Sequence, residues 1–252
     1  MKRILLNPLL FFITTFVVGD LGFADEVKMI PHPGAAQGLQ RINKDGSYQY
    51  KVPLREKSQS TSVRFSSMST PKIDGGNGNT YDALYGSSRA VGLLIDYDWQ
   101  PFRGFGSLGL QLGVGIFSAS GHGVLQDGAG TASEESYTLY MVPLSAFLVY
   151  RFEYVRRQWI VPFIAGGGTL YGLAERRDDG KKPTFASASA AGGGGGVHFS
   201  ISRLDPHGAF TLDRDYGIAD MWLTLEARVM QGLRSDIDFT NTEFSAGITV
   251  DY

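Results

Sequence analysis

The segment Phe244-Ser245-Ala246-Gly247-Ile248-Thr249-Val250-Asp251-Tyr252 alternates by side-chain class. Phe244, Ala246, Ile248, Val250 and Tyr252 share one face of an extended strand, and Glu243, Ser245, Gly247, Thr249 and Asp251 share the other. An apolar face closed by an aromatic and backed by a polar face suits a sheet that meets hydrocarbon on one side and a polar lumen on the other. Working outward, Ala90 to Gln100 repeats the pattern, with Val91, Leu93, Ile95, Tyr97 and Trp99 opposing Gly92, Asp96, Asp98 and Gln100. Ser107 to Phe117 sets Leu108, Leu110, Leu112, Val114 and Ile116 against Ser107, Gly109, Gln111, Gly113 and Gly115. Asp220 to Met230 sets Met221, Leu223, Leu225, Ala227 and Val229 against Asp220, Thr224, Glu226 and Arg228. Each runs for about ten residues, the length a tilted strand needs to cross a bilayer.

Thr61 to Met68, Tyr137 to Phe152, Trp159 to Leu173 and Ala186 to Ser202 are less regular strands of the same kind, and they bring the number to about eight. The fold class expected is all-β, an antiparallel up-and-down transmembrane barrel of about eight strands with a short helix in the sixth connector. Pro143 and Pro162 are awkward in a barrel without free edges, because each removes a ladder donor; they point to bulges or strand boundaries.

The beginning of the chain agrees with export. Met1-Lys2-Arg3 is basic, Ile4 to Val18 is mostly apolar, and Gly22-Phe23-Ala24 offers small residues at cleavage positions, so residues 1–24 are expected to be a cleaved secretory signal peptide. Asn7 and Pro8 interrupt the apolar run, which falls short of the roughly 20 residues a membrane helix requires. Residues 25–60, broken by Pro31-His32-Pro33-Gly34 and Asn43-Lys44-Asp45-Gly46, read as a flexible periplasmic leader, and 61–252 as the barrel domain. With no Cys, the chain depends on packing and hydrogen bonds alone. The formal charge of −2 gives no basic excess to attract nucleic acid. The mean hydropathy of −0.08 conceals the dyad repeat, because averaging cancels the two faces.

Connector lengths give an independent indication, since outer-membrane barrels alternate short periplasmic turns with long outer loops. Ser69 to Ser88, Ser118 to Ser136, Ala174 to Phe185 and Gln231 to Asn241 are long and polar, whereas Pro101 to Gly104 and Glu153 to Gln158 are short. This places the N-terminus in the periplasm of a Gram-negative cell. The sixth connector, Arg203 to Tyr216, is long, but Asp205-Pro206 reads as the N-cap and first turn of a short helix that could plug or cover the periplasmic mouth.

Several motifs carry a resemblance: Pro71-Lys72-Ile73-Asp74, Tyr81-x-x-Leu84-Tyr85-Gly86, Gly92-Leu93-Leu94-Ile95-Asp96-Tyr97-Asp98-Trp99-Gln100, Pro143-Leu144, Leu204-Asp205-Pro206, and Leu212-Asp213-Arg214-Asp215-Tyr216-Gly217. Together they resemble a family of Gram-negative outer-membrane β-barrel proteins of uncharacterised role, and more distantly the outer-membrane protein W-like small barrels. Ser245-x-Gly247-x-x-Val250-x-Tyr252 is also similar to the C-terminal signal that hands such barrels to their assembly machinery. The resemblance implies location and fold, with outer-membrane lipid and lipopolysaccharide and the assembly machinery as partners. It implies no cofactor, no metal and no catalytic residue.

Function must therefore be sought in the lumen. Arg64, Asp96, Asp98, Arg151, Glu226, Arg228 and Asp251 fall on inward faces, with His198, Asp220 and Glu243 beside them. An eight-stranded barrel is about filled by its own side chains, so the first expectation is a hydrogen-bonded ion network that plugs the barrel and leaves it a structural or surface-recognition role. The alternative is a narrow porin-like path for small solutes, favoured by the small inward Gly109, Gly113, Gly115 and Gly247. A lipid-modifying enzyme is less favoured: His122 with Ser118 and Ser120 is the only nucleophile and base set at the outer surface. Gly192 to Gly196 lacks the Lys-Ser/Thr of a phosphate loop and reads as a strand whose side chains are omitted to admit a bulky neighbour. Asp74-Gly75-Gly76-Asn77-Gly78-Asn79 lacks calcium-loop spacing and reads as an exposed turn. Trp99 and Trp159 lie at inferred periplasmic strand ends, as an aromatic girdle requires. Trp222 falls on the polar face and either stacks inside the mouth or marks a register shift.

Overall fold

The computed structural model describes residues 39–50, 56–69, 71, 81, 85–86, 89–124, 132–155, 157–234 and 237–252. The expected signal peptide and the 74–79 turn lie outside the described residues. The described residues fall into two units, one up to Tyr50 and one from Glu56 onward. In the first, β1 (Leu39–Ile42) and β2 (Tyr48–Tyr50) make an antiparallel hairpin. Its turn is the Asn43-Lys44-Asp45-Gly46 breaker: the Asn43 N–H donates to the Ser47 carbonyl at 2.8 Å, and Gly46 takes a φ of 82°, which favours glycine. Strands this short carry too few residues to display a period, so the sequence shows only the turn.

The second unit is a closed barrel in the order β10-β3-β4-β5-β6-β7-β8-β9. Its strands are β3 (Gln59–Met68), β4 (Ala90–Gly104), β5 (Gly106–Val124), β6 (Ala132–Arg151), β7 (Ile160–Arg177), β8 (Thr184–Ser200), β9 (Asp220–Gly232) and β10 (Asn241–Asp251). Neighbours in sequence pair antiparallel all the way round. The last strand joins the first from Glu243↔Met68 to Asp251↔Ser60, and the Tyr252 N–H donates to the Gln59 carbonyl at 2.9 Å. Closure leaves no row of unpaired backbone groups. Among the described residues no helix is long and apolar enough to cross a membrane, so a crossing falls to the strands.

The two faces divide as the alternation requires. Phe65, Leu112 and Leu148 are 74%, 50% and 61% exposed on the outside, while Arg64, Asp96 and Asp251 are 1%, 2% and 0% exposed within. Trp99 and Trp159 are exposed at the end nearest the short turns, with Tyr154 and Phe102. Trp222 is fully buried inside, which settles its position without a register shift.

Several expected boundaries move. Pro101 to Gly104 is strand and not connector: β4 continues to Gly104, with an irregularity between Trp99 and Phe102 where Gln100 and Pro101 oppose the single Gly109, and the turn is Phe105 with Gly106 at a φ of 83°. Ser118 to Ser136 is largely paired, because β5 and β6 run 19 and 20 residues and hold register from Ser118↔Tyr140 to His122↔Ser136. Similarly, β7 and β8 absorb much of Ala174 to Phe185. The barrel begins at Gln59, two residues before the expected start at 61.

Neither Pro143 nor Pro162 makes a bulge. Pro143 stays in register with Tyr171, and Pro162 with Val197. The β6–β7 ladder begins at Arg151↔Phe163, so Pro162 lies just beyond it, its carbonyl accepting from the Phe152 N–H at 2.9 Å. The helix α1 (Pro206–Tyr216) forms as its caps dictate: the Asp205 side chain accepts from the Gly208 N–H at 2.9 Å, Pro206 opens the first turn, and Gly217 ends it at a φ of 72°.

Candidate functional site in the barrel lumen

The lumen is divided lengthwise by chemistry. Toward the end where β3 finishes and β4 starts, it is filled by Met68, Phe117, Met141, Tyr171, Met230 and Phe239, all buried. Tyr171 and Phe239 lie 4.2 Å apart between ring centroids, and Tyr81 and Tyr85, from the first connector, lie 4.9 Å apart. A lumen polar along its whole length is thus corrected: most inward positions at this end are apolar and form a compact core, with Asn241 and Glu243 beside it. Tyr85 donates to Glu175 Oε2 at 2.9 Å. Burial first, and then the adjacent Glu175 carboxylate, raise the Tyr85 hydroxyl well above its ordinary 10.0. A raised folded pKa means that this stabilisation is whole below the ordinary value and is lost as pH rises through the folded one. Alkaline titration of tyrosine absorbance should therefore show one fewer late-titrating tyrosine in Tyr85→Phe than in the wild type.

The other half holds the polar network, and all seven residues expected there are in it, arranged as two clusters. In the first, Asp96 Oδ2 accepts from Arg64 Nη2 at 2.5 Å and from Ser62 Oγ at 3.1 Å, while Arg64 Nη1 donates to Ser245 Oγ at 3.2 Å and pairs with Glu226. Glu226 in turn accepts from Arg228 Nε at 2.6 Å, and Arg228 Nη2 donates to Gln111 Oε1 at 2.8 Å. The Arg228 guanidinium sits 4.3 Å from the Phe147 ring centroid, so the cation rests on the floor of the apolar half.

The second cluster is centred on Asp251. Its Oδ1 accepts from Arg151 Nη1 at 3.1 Å, and its Oδ2 accepts from Lys57 Nζ at 2.9 Å and Trp222 Nε1 at 2.8 Å. Arg151 Nη2 also donates to Asp98 Oδ2 at 2.7 Å. Lys57 reaches Asp220 Oδ2 at 3.0 Å and Glu153 Oε1 at 2.7 Å. Lys57 and Trp222 complete this cluster, and neither was expected in it. Lys57 falls in the expected leader, outside any strand, so no periodicity marks it as inward. Between the clusters His198 is buried, with Nδ1 2.8 Å from Thr224 Oγ1 and its ring stacked on Phe163 at 4.5 Å.

The space beside each small inward glycine is taken by a neighbour. A Cβ at Gly113 would collide with Asp96 Oδ1, and one at Gly109 with Asp98 Oδ1. At Gly115 a Cβ would meet Leu94 at 2.6 Å, and at Gly247 it would meet Arg64 Cγ at 2.8 Å. Each missing side chain is replaced by a larger one from the neighbouring strand. The enclosed space left among Arg64, Asp96, Asp98, Arg151, His198 and Thr249 is about 10 Å³, the space of about one water. Glycines 192, 194 and 196 serve close approach of another kind: a Cβ there would collide with the carbonyls of Val229, Ala227 and Leu225, and at Gly196 it would also meet the Phe163 ring at 2.6 Å. This run lies in β8 and cradles nothing.

Of the four residues similar to an assembly signal, Ser245 and Gly247 face Arg64 inside, Val250 is half-buried, and the exposed Tyr252 lies with its hydroxyl 2.8 Å from Thr61 Oγ1. Ser120 and His122 stand on the exposed face of β5, and Ser120 Oγ is 3.3 Å from Thr138 Oγ1. Among the described residues no carboxylate hydrogen-bonds His122. Among those residues no group of three or more His, Cys, Asp and Glu side chains could hold a metal ion.

The sequence matches no family model and no curated protein. Among solved structures, the chain is similar to the outer membrane protein OprG from Pseudomonas aeruginosa, at a TM-score of 0.50 and 9% identity over 79% of this chain and 97% of that one. It is also similar to Ail, the attachment invasion locus protein of Yersinia pestis, at 0.45 and 11% over 79% and 100%, and to Neisserial surface protein A, at 0.45 and 13% over 79% and 100%. At these identities the likeness is one of fold, a small closed barrel of the outer-membrane type.

Proposed function

We propose that the chain is an integral outer-membrane protein of a Gram-negative cell whose barrel is plugged and which serves a structural or surface-recognition role. The observation that carries this reading is the filled lumen: the inward glycines are occupied by Asp96, Asp98, Leu94 and Arg64, and about 10 Å³ remains enclosed among the charged side chains. The apolar outer band supports membrane placement, because water would solvate so much exposed aromatic and aliphatic surface poorly, whereas hydrocarbon accepts it.

On β5 the outward residues are apolar from Leu108 to Ile116 and then turn to Ser118, Ser120 and His122. The β5–β6 ribbon therefore stands beyond the band as a ledge suited to contact. In this orientation the leader is periplasmic and the long connectors face outward. Val250 and Tyr252 serve the assembly machinery from the outer wall, and no reaction is catalysed.

Single-channel recording of the refolded barrel in a planar bilayer tests the plug. Silence from an inserted, folded barrel is the expected result. Steady unitary currents changed by Asp96→Ala or Arg228→Ala would establish the narrow solute path instead.

A further inference from the structure

The outer wall is not uniformly convex. An open apolar groove of about 910 Å³ runs across β9, β10, β3 and β4, a volume within the roughly 300–1,000 Å³ of ligand sites. Its form follows from register. Ala246 lies between Leu225 and Phe65, and Phe244 lies between Ala227 and Ser67, so small residues form the floor and large ones the walls. Strands sit about 4.8 Å apart, and four of them give a face roughly 15 Å wide, room for more than one hydrocarbon chain side by side.

A second feature points to what occupies it. Arg89, the residue before β4, is exposed, and its guanidinium lies 5.5 Å from the Phe244 ring centroid. It stands two residues above Val91, at the level where outward side chains change from apolar to polar; Val91 pairs with Ser118. Among the described residues no carboxylate pairs with Arg89. The groove thus ends, at the headgroup level, in a cation that no carboxylate of the described residues pairs with.

We propose that this groove and Arg89 form a site for one phosphorylated, multiply acylated lipid of the lipid A type, with acyl chains across Ala227 and Ala246 and a phosphate on the Arg89 guanidinium. The assignment rests on the outer-membrane placement proposed above, which puts the first connector, and hence Arg89, at the outer leaflet. A second copy of the chain fits less well, because a two-fold contact across the groove would bring its charge against its own image.

Native mass spectrometry of the refolded barrel, offered phosphorylated lipid A, dephosphorylated lipid A or phosphatidylglycerol, tests the site. The wild type should retain one phosphorylated lipid A, and the other two lipids about tenfold less. Arg89→Gln should lose that preference for phosphate, and Ala227→Leu with Ala246→Leu should lose retention of all three. Both variants are on the outer wall, and folding is checked by the shift in gel mobility on heating. Equal retention of the three lipids by the wild type, or unchanged retention by both variants, would overturn the site while leaving the membrane reading intact. Failure of the folded wild type to insert into vesicles would overturn both.

Discussion

Asp251→Ala is expected to destabilise the folded barrel by about 3–5 kcal/mol, the range for breaking a buried ion pair by removing one partner. Asp251 is fully buried and holds Lys57, Arg151 and Trp222 at once. Removing it leaves an ammonium and a guanidinium packed together without the carboxylate that lies between them. Urea titration of the barrel in vesicles, read by the change in gel mobility of folded and unfolded forms, measures the loss. Asp251→Asn should fall between the wild type and the alanine variant, since it keeps hydrogen-bonding capacity without the charge. Asp215→Ala removes the partner of Arg214 in a pair exposed to solvent, and it should not move the transition. Equal, small shifts from Asp251→Ala and Asp215→Ala would mean that the buried cluster contributes nothing to the fold.

Gly194→Ala should be a strongly damaging single-methyl change, destabilising the barrel by at least about 1–3 kcal/mol, the usual range for overpacking a tight site. The added Cβ would collide with the Ala227 carbonyl and stand 2.8 Å from Arg228 Cα. Backbone atoms held by the β8–β9 ladder cannot turn aside as a side chain would. Gly166→Ala makes the same chemical change on β7, where the nearest atom to the new Cβ is the Gly192 carbonyl at 4.0 Å. That variant should be neutral or stabilised by up to about 1 kcal/mol through the unfolded chain. Parallel urea titrations decide the matter, and similar losses in the two variants would contradict the account of the glycine run.

What was legible in the sequence was whatever a period of two can encode. The alternation in β4, β9 and β10 places Asp96, Asp98, Glu226, Arg228 and Asp251 in the interior, the less regular β3 and β6 place Arg64 and Arg151 there, and all seven are buried. The same period tells the side of a residue but not the polarity of what awaits it there. Met141, Tyr171 and Met230 are inward and apolar, and only packing at one end of the barrel explains them. The contacts that closure makes also escape a linear reading. Lys57 joins Glu153, Asp220 and Asp251 because β10 returns to β3, and no local pattern records that.

The surroundings of the glycines are hidden for a related reason. Gly109 and Gly113 suggest open space until register sets Asp98 and Asp96 beside them. Likewise the outer part of β5 and β6, rich in Ser, Gly and Thr, is held by ladder hydrogen bonds whose register the sequence does not advertise. The helix was the easier case, since Asp205, Pro206 and Gly217 are local signals acting within one turn.

In an inside-out barrel the outward side chains of every strand meet lipid, and the inward ones form the charged network and the apolar core. The chain contains no Cys, so single cysteines can be introduced and labelled with a fluorophore without removing any of its own. Labelled Leu110→Cys, Leu112→Cys, Val114→Cys and Ile248→Cys should be strongly quenched by brominated lipid in reconstituted vesicles. Ser62→Cys, Gln111→Cys and Thr249→Cys should resist both labelling and quenching, giving a period of two along β5 and β10. Uniform quenching along a strand, or quenching in the opposite phase, would contradict the account.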